Sequence, residues 1–327
     1  MCPLPCASPA APGRRADFPV AASPGLAGTA HATPARRLDP RLYQIAVLAG
    51  LLAYGMVRLE FEIGPGRVLA ILAAALATQL ACTRIWRLPA FEPKSALISG
   101  LSLCLLLRTH SPLLVLAAPA IAVASKFAVR VRGKHIFNPT NLALVAVMMC
   151  GGRAWVSPGQ WGNVAWLAFL FACLGGVVVQ RAARADVTFA FIASYLVLLL
   201  ARARWLGQPA AIPLHQIESG AFLLFSFFMI SDPRTTPDSR AGRILFAALV
   251  AAGAAFVTFA LYRTNGLLWS LALGSPAVPL IDRLLPGRRH HWTPAASPLT
   301  AKGTPDETPL HRPRAGARQR ALGAARA

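Results

Sequence analysis

Two short polar stretches, set among long apolar ones, have the residue types to do chemistry. The first is Lys134-His135-Ile136-Phe137-Asn138-Pro139-Thr140-Asn141. Asn138 suits an N-cap and Pro139 the first helical position, so a helix should begin here. A helix start offers free N–H groups and a positive dipole end, which can hold an anion or a carbonyl-rich ring. Lys134 and His135 add positive charge, and Asn138 and Asn141 add amides. The same residues also read as a plain capped helix with a topology-fixing lysine. The second stretch runs from Glu218 to Pro237. Its apolar part, Gly220 to Ser231, follows Ser219 and ends in Ser231-Asp232-Pro233, with Thr235 and Thr236 just beyond. Asp232 can cap a turn, and the threonine hydroxyls can bond backbone groups freed where a helix breaks. The alternative is that Asp232 and the threonines meet a polar ligand. Gly220 to Ser231 is also too short for a span, which needs roughly 20 apolar residues. Short, interrupted spans are where membrane proteins place binding sites.

The rest of the chain must position these stretches. Of 327 residues, 55% are hydrophobic and 14% charged, against a usual charged share of about 25%. Mean hydropathy is +0.52. These values and the apolar runs predict an all-α polytopic membrane protein. Ten apolar segments follow in order: Leu42–Leu59, Val68–Cys82, Ala96–Leu107, Leu113–Val131, Asn141–Gly151, Asn163–Gln180, Val187–Ala201, Gly220–Ser231, Ile244–Tyr262 and Gly266–Ile281. They predict a ten-helix transmembrane domain over 41–283. The Ala-, Pro- and Arg-rich ends, 1–40 and 284–327, read as disordered, solvated tails.

The net charge of +21 resembles a nucleic-acid binder at first sight. Its distribution argues for membrane topology instead, and no nucleic-acid signature accompanies it, so no nucleic-acid partner is expected. With the N-terminus inside, the cytoplasmic loops carry twelve Lys and Arg and the outer loops seven. The partner implied is the lipid bilayer, in an inner (plasma) membrane crossed many times, with both termini cytoplasmic. Arg202, Arg204 and Trp205 suit a helix end, and Trp155 and Trp161 suit interfacial anchors.

The third and eighth segments are both about a dozen residues long and stand five apart. Ser99-Gly100 lies in the first turn of one, and Ser219-Gly220 opens the other. This is the pattern of an inverted five-helix repeat with two short helices at its centre. The six cysteines have no metal spacing and read as small hydrophobes. No carboxylate lies mid-span, which makes a lone ion pump a poor reading. No Walker loop, GxGxxG, GxSxG or HExxH occurs. Catalytic and metal-ligating residues are expected to be absent.

Three motifs carry a resemblance. Ser219-Gly220 followed by Phe228-Met229-Ile230-Ser231-Asp232-Pro233-Arg234-Thr235-Thr236-Pro237 resembles the "SGG…FMATDPVTSP" signature of the RnfD/NqrB family. His135-Ile136-Phe137-Asn138-Pro139-Thr140 resembles its "H-x-x-F-N-P-A" stretch. Ser275-Pro276-Ala277-Val278-Pro279-Leu280-Ile281-Asp282 resembles its "N-x-x-V-P-L-I-D" close. The chain is also similar to the RnfD-like UnbU proteins associated with enediyne biosynthesis. The resemblance covers about Leu38 to Arg283. It implies a ten-helix inverted-repeat protein, like the RnfD component of RnfABCDGE-type complexes, which pass electrons through flavins and couple the flow to Na⁺ or H⁺ movement. It implies other membrane redox subunits as partners. The family attaches FMN to a threonine in an S-x-A-T motif between the fifth and sixth helices. Here Gly151 to Gly162 holds Ser157 as its only hydroxyl residue. The expectation is therefore noncovalent riboflavin or FMN, near Lys134, His135, Asn138, Asn141, Ser219, Asp232, Thr235 and Thr236. A channel or carrier for a small solute or secondary metabolite, or a membrane component of a biosynthetic complex, is the alternative on the same scaffold.

Overall fold

The computed structural model of the chain describes residues 39–156, 174–180 and 184–288. The tails expected over 1–40 and 284–327 lie almost wholly outside these residues, as does most of the sixth apolar segment.

Helices dominate. In the first part they are α1 (Pro40–Arg58), α2 (Pro65–Ile85), α3 (Pro93–Leu106), α4 (Pro112–Ala128) and α5 (Pro139–Met148). All five open on a proline. At the first helical position the missing N–H has no intrahelical partner to lose, and the fixed φ already suits the helix. A helical stretch at 174–180 precedes α6 (Ala185–Trp205) and α7 (Ala211–Ile217). Next comes α8 (Gly220–Leu224), which widens into a π turn over Phe225–Met229. Then follow α9 (Arg240–Phe259), α10 (Gly266–Gly274) and α11 (Val278–Leu284), the last two joined by a 3₁₀ turn over Ser275–Ala277. Here side chains open some of the helices instead: Ser219 Oγ accepts from Phe222 N, and Ser239 Oγ from Gly242 N.

Among the described residues, α2, α6 and α9 are long and apolar enough to cross a membrane. Leu69, Phe189, Val197, Leu249 and Phe256 on these helices are exposed, as lipid-facing side chains are. The short helices do the opposite. From Ser99 to Leu106 every residue of α3 is buried, as is every residue from Phe222 to Ser231. A helix buried on all sides belongs inside a bundle.

The packing order repeats. Helix α2 packs on α4 and α4 on α5; α6 packs on α9 and α9 on α10. Small residues permit close approach. A Cβ added at Gly253 would lie 2.4 Å from Ser270 Oγ, whose hydroxyl donates to the Val250 carbonyl at 2.7 Å.

Three boundaries differ from the sequence reading. The fourth segment was expected to reach Val131, but α4 stops at Ala128. Residues Arg130–Val131 (β2) then pair antiparallel with Lys134–His135 (β3). The turn residues Arg132 and Gly133 have φ of 52° and 77°, the doubly positive pair that a tight hairpin turn requires. Leu107 was expected in the third helix; it opens Leu107–Thr109 (β1), which pairs with Ala154–Val156 (β4). Trp155, expected as a plain anchor, is in that ladder with its ring 5.1 Å from His110. Ser99-Gly100 falls in the second turn of α3, because Pro93 starts the helix earlier.

Candidate functional site

The end of the broken helix and the start of α5 meet. Asn138 Oδ1 accepts from Asn141 N at 3.0 Å, capping α5, while Asn138 Nδ2 donates to the Met229 carbonyl at 3.0 Å. Met229 is the last residue of the π turn. A positive helix start thus faces a negative helix end, joined by one amide. Asn141 Nδ2 donates to the Leu268 carbonyl of α10 at 3.1 Å, and its buried Oδ1 has no hydrogen-bond partner.

The π turn follows from the local sequence. Ile230 N reaches back five residues to Phe225 O at 3.0 Å. Thr188 Oγ1 of α6 donates to the Ser226 carbonyl at 3.0 Å, and Ser226 Oγ to the Phe222 carbonyl at 2.8 Å. Phe191 stacks on Tyr195 and Phe222 and tilts onto Phe225, with centroids 5.1–5.9 Å apart. Apolar mass and side-chain hydroxyls together hold a wide turn that backbone bonding alone holds poorly.

Beyond Ser231 the chain turns around Asp232. Its Oδ1 accepts from Arg234 N at 3.0 Å. Its carbonyl accepts from Thr235 N and Thr236 N, both at 3.2 Å, and from Thr236 Oγ1 at 3.1 Å. Both threonines are buried and bond inward. Burial pushes the Asp232 carboxyl up, and Arg234, Lys126 and Arg184 only partly offset it.

The β2–β3 hairpin sets Lys134 and His135 beside this loop. Lys134 Nζ is 2.9 Å from Asp238 Oδ1 and 2.8 Å from Asp282 Oδ2. Asp282 Oδ1 accepts from Asp238 N at 2.8 Å. One lysine therefore ties the hairpin, the loop and α11 together. Arg243 adds a second tie, bonding both Asp186 oxygens and the Asp238 carbonyl. Arg184 Nη2 lies 3.5 Å from the Pro233 carbonyl. His135 is 7% exposed. Its Nε2 lies 3.5 Å from Arg234 Nη1, and its Nδ1 has no hydrogen-bond partner. Burial pushes its pKa down to about 3, helped by the charges of Arg130, Arg234 and Lys126. The ring is neutral at pH 7.

Seven of the eight residues singled out from sequence thus gather at one end of the short helix: Lys134, His135, Asn138, Asn141, Asp232, Thr235 and Thr236. Ser219 does not join them. It caps the opposite end, about 15 Å away along ten helical residues. Sequence reasoning missed Asp186, Asp238, Asp282 and Arg243 as members of the network. The Asp282 of the terminal V-P-L-I-D run was the one available signal. Among the described residues, no group of three His, Cys, Asp or Glu could hold a metal.

The two short helices approach each other. Ser102, Leu105 and Leu106 of α3 and Leu224, Phe228 and Met229 line a shared apolar cavity of about 10 Å³. Ligand pockets run to several hundred Å³. The polar groups of Asn138, Lys134, Thr235 and Thr236 are also committed to protein bonds. The described residues therefore offer two orphan atoms, His135 Nδ1 and Asn141 Oδ1, but no flavin-sized recess between the short helices.

Residues 151–290 match the NQR2, RnfD, RnfE family. The chain is 32% identical over 161 residues to the RnfD protein of the ion-translocating oxidoreductase complex of Escherichia coli O7:K1 (strain IAI39 / ExPEC), covering 48% of this chain and 42% of that protein. The corresponding protein of E. coli strain K12 / DH10B is 31% identical over the same coverage. The match spans less than half the length of these curated relatives.

Proposed function

Because this is an RnfD-like membrane protein, we propose that it works as a membrane subunit of an ion-translocating oxidoreductase complex, beside other membrane redox subunits. One observation carries the reading. Within the family-matched stretch lies a buried, discontinuous helix whose end at Met229 is joined to the start of α5 by Asn138. Paired helix ends inside a bundle are where membrane carriers hold charge away from lipid. The matching pack of α2–α4–α5 and α6–α9–α10 supports ten spans in an inverted five-helix repeat. The surplus of Lys and Arg in alternate loops supports both tails on the cytoplasmic side of the plasma membrane.

The flavin belongs to this proposal only as a noncovalent guest. The residues present do not form a recess of its size, so no step is routed through it. The chain's own residues hold the helix junction, keep a neutral imidazole beside cations, and lock the loops through Lys134 and Arg243. A carrier for a small solute is the second reading, favoured by the lack of an S-x-A-T motif between Gly151 and Gly162.

Affinity purification from mild detergent separates them. The first reading expects membrane redox subunits to copurify and a flavin absorption band to accompany the complex. A chain that purifies alone and colourless, with solute flux in liposomes that Asp232→Ala alters, sinks it.

A further inference from the structure

Three cations at the loop end have no carboxylate to answer them. Arg130 faces His135 directly across the hairpin, where facing side chains lie about 5 Å apart. Arg234 Nη1 reaches the same ring at 3.5 Å. Lys126 is buried and spends its ammonium on the Ser95 carbonyl and hydroxyl, at 2.7 and 3.0 Å. Arg130 Nε donates to the Lys126 carbonyl, and its guanidinium sits 5.4 Å from the Phe127 ring centroid. Among the described residues none of the three forms an ion pair. The other carboxylates of this end are engaged: Asp238 and Asp282 by Lys134, and Asp186 by Arg243. Asp232 is the one negative charge left to the group.

Grouping three cations costs repulsion, and burying His135 Nδ1 without a partner costs more. Arg130 and Arg234 remain exposed. Two guanidinium forks flanking a surface point suit a tetrahedral oxyanion better than a planar carboxylate. We propose that Arg130 and Arg234, with Lys126 and His135 behind them, bind a phosphate oxyanion. Two sources present that chemistry at a membrane surface, the headgroup of an anionic lipid and a soluble phosphate. The site does not depend on the redox reading, and its test contains no flavin or partner subunit.

The whole purified chain is melted in neutral detergent with inorganic phosphate or chloride at equal ionic strength. It is melted again in nanodiscs of phosphatidylcholine with or without phosphatidylglycerol. One of the two sources is expected to raise Tm by about 4 °C. A shift with inorganic phosphate assigns the soluble source; a shift with phosphatidylglycerol alone assigns the lipid. The double variant Arg130→Gln/Arg234→Gln loses most of the shift, and Arg240→Gln, an exposed arginine at the start of α9, keeps it. No shift with either source overturns the site, as does a shift that survives in the double variant. An equal loss in Arg240→Gln shows diffuse attraction and overturns it too. If the double variant fails to fold, Arg130→Gln alone supplies the same readout.

Discussion

The two buried short helices end in opposite ways. Helix α3 is sealed by its own chain. Two residues past its end, the Arg108 guanidinium donates to the carbonyls of Cys104, Leu105 and Leu107 at 3.0, 3.4 and 2.8 Å, and Phe61 lies 5.3 Å away. A local cation thus neutralises the negative end of the helix. The end of the α8 helix at Met229 is closed instead by Asn138, from another part of the chain. Around it gather charged residues from the end of α4, the hairpin, the start of α6, the Asp232 loop, α9 and α11. One end needs only its neighbours in sequence. The other exists only when several elements converge, so it is the end whose structure an outside event can shift.

Breaking each closure tests this contrast. Arg108→Met removes donors from three carbonyls in a buried setting and should cost about 3–4 kcal/mol of stability, with the phosphate-dependent Tm shift intact. Asn138→Ala removes a cap and strands the Met229 carbonyl, for about 2–3 kcal/mol. Its loss should extend to the loop end: protease should reach the Asp232 loop faster, while the α3 end stays protected. If Arg108→Met also loosens the Asp232 loop, the two ends are not independent and the comparison fails.

A third effect separates the ends by pH. An unfolded histidine titrates near 6.5, whereas folded His135 is pushed down to about 3 by burial and then by neighbouring cations. The unfolded state therefore binds a proton that the folded state refuses. Stability falls as pH drops below about 6.5, and the fall continues toward pH 3. Between pH 6.5 and pH 5 the loss should be about 2 kcal/mol. His135→Gln should flatten the Tm–pH curve in that window. At Asp39 burial raises the carboxyl, but the bonds from Arg41 and Lys94 outweigh it and hold it below the usual range. Its contribution is lost only at still lower pH, so the two windows do not overlap.

Much of this was legible from local chemistry. The cap at Asn138, the proline at the start of α5 and the shortness of Gly220–Ser231 each depend on a few neighbouring residues, and each reappears in the structure. What was hidden is non-local. Lys134 reads as a loop lysine until Asp238 and Asp282 are beside it, and nothing in the intervening chain signals either partner. The β2–β3 hairpin hid because two-residue strands leave no periodicity, although Arg132-Gly133 was a usable turn signal. The π turn hid because its support comes from Thr188 and Phe191 on another helix. Ser219 shows the reverse error: adjacency in a motif suggested a shared site, but a helix of ten residues carries it to the far end.

That misplacement yields the smallest prediction. Ser219→Ala removes the hydroxyl that accepts from Phe222 N at 3.3 Å, and N-cap losses run to about 1 kcal/mol. The residue is only partly buried, and water can replace part of the bond. Stability should drop by about 0.5–1 kcal/mol, read as a Tm change in detergent. Hydrogen exchange should speed up at Phe222, while the amide of Ile230 at the π turn stays slow, because the aromatic cluster and the Asn138 bond hold that end separately. Faster exchange at Ile230 would mean that the short helix transmits strain along its length, and that its two ends form one unit with the charged loop.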